Sequence, residues 1–165
     1  MANMFLLLTN IDGESLDQVY NGKIEVVDWD WGMHNNASFE LTGAKAAQHT
    51  RFAHLNIHKK LDKSSPTLML YCTYGTKIPE ATLICRKNDG GIPVDYLKIH
   101  LKEVKVHQLT WPVKGGSDVG VFTEVLDLSF HKVHVEYKVQ IADGSLAGAT
   151  EFPWYNISDP DAKGD

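Results

Sequence analysis

The chain of 165 residues is 43% hydrophobic and 22% charged, the make-up of one compact domain that buries roughly two-thirds of its unfolded surface. Its 16 basic and 21 acidic residues leave a formal charge of −5, too small and of the wrong sign to hold nucleic acid by counterion release. The longest wholly apolar run, Met4 to Leu8, falls far short of the roughly 20 residues of a membrane span and lacks the flanks of a signal peptide. Folding in the cytoplasm is therefore expected, with no membrane insertion, and export would need another route.

Apolar residues recur mostly at period two between turn signals, which predicts a mainly β protein of antiparallel strands. Asn3 to Ile11 reads as the first strand, closed by Asp12 and Gly13, and Lys23 to Trp31 as the second, with polar residues 13–22 as the loop between them. Gly32 to Thr50, dense in Asn, Ser, Gly and Ala, reads as an extended interaction loop, because structureless connections of this length are usually functional. Arg51 to Leu61 reads as the third strand, with Ala53, Leu55, Ile57 and Leu61 on a buried face and His54, Asn56, His58 and Lys60 on a wet one. The one helix signal follows, with Ser65 as N-cap, Pro66 at the first helical position and Gly75 just past the end. About two and a half turns are too few to stand alone in water, so the helix is expected to pack as a lid over an open end of the sheets.

Ile78 to Lys87 and Val94 to Val106 read as strands joined by a turn at Asn88-Asp89-Gly90-Gly91. In the second of these, Leu97, Ile99 and Leu101 alternate and then slip by one residue to Val104 and Val106. Leu126, Leu128 and Phe130 alternate likewise and slip to Val133, Val135, Tyr137, Val139 and Ile141. A one-residue slip moves the buried side to the other face, as happens at a bulge or a bend between sheets. Slips near residues 102 and 132 lie opposite each other in an antiparallel hairpin only if its turn is near residue 117, where Gly115-Gly116-Ser117-Asp118 stands. Two long strands bending at one level predict an antiparallel β-barrel, two curved sheets with one short helix. After a turn at Asp143-Gly144-Ser145, Phe152 to Ile157 reads as a short last strand, and 158–165 as a disordered tail of the single domain 1–165.

No residue set commits the chain to catalysis. Cys72 and Cys85 read as small buried thiols in a reducing compartment. His54 and His58 are about 13 Å apart along a strand, too far to share an ion, and His131 and His134 point to opposite faces; convergence of ligands from different strands stays open. There is no G-x-S-x-G elbow and no glycine-rich loop leading into a helix with a Lys-Ser/Thr ending. Asp28 and Asp30 alternate with Trp29 and Trp31, which reads as a solvated carboxylate face opposite an aromatic one. Catalytic, cofactor-binding and metal residues are thus expected to be none. The alternative is a small-ligand-binding or metal-dependent hydrolytic β-barrel using the histidine face.

Several segments carry a resemblance. Asp12-Gly13-Glu14-Ser15, then Ile24-Glu25-Val26 leading to Trp29-Asp30-Trp31-Gly32-Met33, resemble the opening of the haemolysin-coregulated protein family, the tube subunits of the bacterial type VI secretion system. The match continues through Asp62-Lys63-Ser64-Ser65-Pro66, Ile78-Pro79-Glu80-Ala81, Cys85-Arg86-Lys87, Tyr96-Leu97-Lys98-Ile99, Leu128-Ser129-Phe130, Val135-Glu136-Tyr137 and Ala142-Asp143-Gly144-Ser145. The resemblance implies a non-enzymatic β-barrel with a short helix, a homohexameric ring stacking on further rings, and no cofactor. It also implies a contractile sheath around the tube, a spike protein at its tip, small effector proteins protected in the channel, and secretion without a cleaved signal. By the family's layout the loop between the second and third strands reaches a neighbouring subunit or ring, which makes His34, Asn35, Asn36, Phe39, Leu41, Thr42, Lys45 and Gln48 the expected interface residues, and Asp28 and Asp30 the expected channel-facing pair. Six copies of a −5 chain would carry −30, enough to bear on which cargo a ring admits.

Overall fold

The computed structural model describes residues 3–35, 50–87, 93–111, 122–140 and 146–157. Its elements are β1 (Met4–Leu8), β2 (Ile24–Asp30), β3 (Met33–Asn35), β4 (Thr50–Phe52), β5 (Leu55–Lys60), α1 (Ser64–Tyr74), β6 (Ile78–Lys87), β7 (Val94–Thr110), β8 (Thr123–Ser129), β9 (Lys132–Gln140) and β10 (Leu146–Asn156). The strands hydrogen-bond in the order β10-β9-β7-β6-β1-β2-β5-β8, and β7 also pairs β8. That last pairing closes β1, β2, β5, β8, β7 and β6 into an antiparallel barrel, as the alternation predicts. Strands β9 and β10 extend the sheet beyond β7, and β3 pairs β4 as a separate two-stranded arm.

The barrel closes because β7 changes partner midway. Leu97 to Lys102 pair with β9, from Leu97 opposite Tyr137 to Lys102 opposite Lys132, and Lys105 and Val106 pair with Ser129 and Leu128 of β8. All these pairs share one register centred on residue 117, as the two phase slips require; the turn itself lies outside the described residues. The slip in β7 falls at Glu103, whose φ of 54° reverses which side chains face inward, so that Leu101 and Val104 are both buried. The opposing slip falls at Phe130 and His131, where β8 ends and β9 begins. A non-glycine residue held at positive φ costs about 1 kcal/mol or more. Here an ion pair from the Glu103 carboxylate to Lys77 and a contact with His131 Nδ1, both at 3.2 Å, hold the side chain of the kinked residue.

The barrel interior holds Leu6, Leu8, Ile24, Val26, Leu55, Ile57, Leu83, Ile99, Leu101, Leu126 and Leu128, with Leu68 of α1 set among them. The helix packs its Leu68 into the barrel core, and Gly75 takes the left-handed conformation (φ 61°) that ends it. Ser65 is not its N-cap. The helix begins at Ser64, and Asp62 performs the capping by accepting the Ser64 backbone N–H at 3.0 Å. Ser65 instead answers from inside the helix: its Oγ accepts the Asp62 backbone N–H at 3.2 Å.

Three further expectations are corrected. The stretch 51–61 is two strands in two sheets, split at Ala53 and His54; Ala53 and Leu61 are exposed, and only Leu55 and Ile57 of the expected face are inside. The last strand is longer than expected, running from Leu146 to Asn156 along β9. Cys85 is buried, and loss of solvent pushes its thiol pKa up to about 11. Cys72 is only half-buried, against His107. The turns expected at 88–91 and 143–145, and the tail 158–165, lie outside the described residues.

Candidate functional site

The loop between β1 and β2 is bound to the barrel along its length. Gly13 donates to Gly22 O at 2.8 Å and Ser15 N to Lys23 O at 3.0 Å. A Cβ on Gly13 would sit 2.6 Å from Ile24 Cα and from Lys23 O, so only glycine fits this approach. Asp17 caps the following turn by accepting Val19 N and Tyr20 N, and pairs with the buried Arg86 through both carboxylate oxygens. That guanidinium lies 4.6 Å from the Phe5 ring centre. The same Arg86, ahead of the opposing effect of desolvation, holds the Asp17 carboxyl down at about 2. Tyr20 stacks on Phe5 at 4.8 Å and donates to Asp95 Oδ2. The loop thereby seals an outer apolar face of β1 and β6, made of Phe5, Leu7 and Ile84.

Glu14 of this loop accepts the Lys63 backbone N–H at 2.9 Å, so the Asp12-Gly13-Glu14-Ser15 and Asp62-Lys63-Ser64-Ser65-Pro66 segments meet. Beneath them lies a fully buried ion pair, Lys59 on β5 opposite Glu124 on β8. Lys59 Nζ also donates to Asp62 Oδ1 at 2.8 Å and Lys60 O at 3.0 Å. Ser65 Oγ donates to Glu124 Oε1 and Trp111 Nε1 to Glu124 Oε2, each at 2.8 Å. Every charge in the cluster has partners, which is the condition for burying it. Neither Lys59 nor Glu124 is marked out by its polarity, which argues for the surface. The signal is positional: Lys59 keeps step with Leu55 and Ile57, and Glu124 with Leu126 and Leu128, on the inward faces of their strands.

The region between β2 and β5 is organised differently. Trp31 Nε1 donates to Ala53 O and Ala53 N to Gly32 O, both at 2.9 Å, which closes the base of the arm. Trp31 packs between Phe52 at 6.2 Å and Phe130 at 6.0 Å, so the Trp-x-Trp-Gly-Met segment is an anchor on the core. Above that base β3 is exposed throughout, including Met33 and the expected interface residues His34 and Asn35. The other expected interface residues, Asn36, Phe39, Leu41, Thr42, Lys45 and Gln48, lie outside the described residues.

Asp28 and Asp30 are exposed, with Trp29 and Trp31 packed against the core on the other side. A register shift between Val26 and Asp28 puts Val27 and Asp28 both outward and lets Trp29 turn in. Asp30 accepts from Asn56 at 3.2 Å and lies 3.6 Å from His58. His54 pairs with Asp127 at 2.8 Å and meets His107 edge-on. His54, just before β5, and His58 on β5 are therefore both held by carboxylates on neighbouring strands.

The described residues form a closed antiparallel barrel with a two-stranded arm outside its sheet. The family model described as "Type VI secretion system effector, Hcp" matches residues 5–137. Protein hcp1 of Pseudomonas aeruginosa is 37% identical over 154 residues, covering 93% of this chain and 94% of that one. The crystal structure of Hcp1 from Salmonella typhimurium superposes with a TM-score of 0.75 at 28% identity, covering 96% of this chain and 97% of that one. A structure titled as a type six secretion system protein superposes at 0.86 with 23% identity, covering 98% and 99%, which supports the fold alone. The chain belongs to the Hcp family: it is a type VI secretion tube protein, a structural component and not an enzyme, in a family of secreted proteins. No helix among the described residues is long and apolar enough to cross a membrane.

Proposed function

We propose that six copies of the chain form a ring, that rings stack into a tube, and that the arm carries the contacts between copies. The observation that supports this most is the arm itself: its base is locked by Trp31 while β3 lies outside the barrel sheet with its side chains in solvent. A second surface is β10, an 11-residue edge strand that among the described residues pairs only with β9. Such edges offer backbone donors and acceptors to another chain. In this reading His34, Asn35, Asn36, Phe39, Leu41, Thr42, Lys45 and Gln48 form the contact, and Asp28 and Asp30 face the channel.

The tube assembles in the cytoplasm inside a contractile sheath, bears a spike protein at its tip, and is expelled with small effector proteins held in its channel. With −30 on six copies of the −5 chain, the assembly favours cargo with basic surfaces. Electron microscopy of the purified protein tests the reading. Rings with a central hole are expected, and a field of single particles of one chain's size at high concentration would contradict it.

A further inference from the structure

On the outer face of the sheet that runs from β6 to β10, away from the barrel interior, two histidines and a glutamate converge from two strands. His100 on β7 stands directly opposite His134 on β9. Glu136 follows His134 by two residues and so shares its face. One ligand-type atom of each residue lies within 4.8 Å of the others. The two imidazoles are stacked, 5.4 Å between centres.

The surroundings of His100 are those of an oriented ligand. Its Nδ1 faces Thr82 Oγ1 on β6 at 3.2 Å, the contact that fixes a ring and its tautomer when the other nitrogen binds a metal. That other nitrogen, Nε2, is shielded from solvent and has no hydrogen-bond partner. Glu136 Oε2 lies 3.7 Å away from it, too long for a hydrogen bond. Trp154 of β10 covers the pair, 5.3 Å from the His134 ring and 6.5 Å from that of His100. Glu151, 3.4 Å from His134 Nε2, supplies a second carboxylate at the rim.

We propose that His100, His134 and Glu136 form a binding site for one first-row divalent cation of the zinc type. Two imidazoles and a carboxylate suit zinc, cobalt, nickel or copper rather than magnesium or calcium. Metal bonds of about 2.0–2.2 Å place tetrahedral ligands about 3.3–3.5 Å apart. Small side-chain rotations that draw the three atoms together by about 1 Å complete the set, and the fourth position falls to water or to Glu151. The site lies on the strand pair that extends beyond the barrel, so a bound ion would cross-link β7 to β9 where the barrel no longer holds them. This inference is independent of ring formation.

The test is a zinc titration of the tag-free, chelator-treated full chain by calorimetry, followed by thermal melts with and without zinc. One saturable zinc per chain and a raised melting temperature are expected. His134→Gln and Glu136→Gln should each weaken zinc at least about tenfold, while His58→Gln leaves it unchanged. Glu136 is at the rim, so its variant keeps the test valid if a histidine variant folds poorly. Cobalt substituted for zinc should give the visible bands of a tetrahedral site. Absence of saturable zinc, or equal affinity in wild type and Glu136→Gln, would overturn the proposal.

Discussion

The two polar stretches flanking β2 look alike in composition and behave as opposites. Residues 13–22 fold back onto the barrel through Gly13, Ser15, Asp17 and Tyr20, and cover an apolar face that β1 and β6 would otherwise expose. The arm that leaves β2 is held at its base by Trp31, Ala53 and Phe52, and β3 beyond that base is exposed. Loops of the first kind contribute to the stability of one chain. In the proposed assembly those of the second kind meet another copy, so substitutions in the two should separate folding from assembly.

The largest loss of folding stability is expected where the first loop meets the helix. Lys59→Met leaves Glu124 buried without its cation and should cost about 3–5 kcal/mol, read from denaturant unfolding. Gly13→Ala forces a methyl against the Ile24 and Lys23 backbone and should cost about 2–3 kcal/mol. Asp17→Asn leaves Arg86 without its carboxylate and should cost about 1–3 kcal/mol.

The Asp17 variant also carries a pH signature. Asp17 titrates at about 2 in the folded chain and near the ordinary aspartate value of 3.8 when unfolded. A depressed folded value means that the contribution is complete above the unfolded value and is lost as pH falls through about 2. Urea melts between pH 2 and about 5 should show this slope in the wild type and a flatter one in Asp17→Asn.

Smaller effects are expected toward the arm. Trp31→Phe keeps the ring against Phe52 and Phe130 but removes the bond to Ala53 O, for a loss of about 1 kcal/mol. Replacing residues 36–48 with glycine and serine should change the unfolding free energy by less than about 0.5 kcal/mol.

How much of this was legible follows from what each signal depends on. Alternation along β7, β8 and β9 survives in the sequence because burial on one face selects apolar side chains, and the paired slips located both the bend and the register. The helix C-terminus was legible because only glycine readily takes the Gly75 conformation. Its N-terminus was not, because Asp62 and Ser65 are both residue types that cap helices, and both take part at this start. The split at Ala53 was hidden for a similar reason: it depends on Trp31 reaching across from another strand. Of the expected assembly residues, His34 and Asn35 stand on the exposed arm and Asp28 and Asp30 in solvent on β2, as their polar character implied. Which of them touches another copy is a property of an interface that one chain does not encode locally. The pairing of His100 with His134 was invisible, because two histidines 34 positions apart meet only through the β7–β9 register.

The central claim is that the arm builds the ring and the barrel folds without it. It is tested most directly by native mass spectrometry of the intact chain beside the chain with residues 36–48 replaced. The account predicts a species of six times the chain mass for the first and a folded single chain for the second. A single chain in both, or six copies in both, would contradict it.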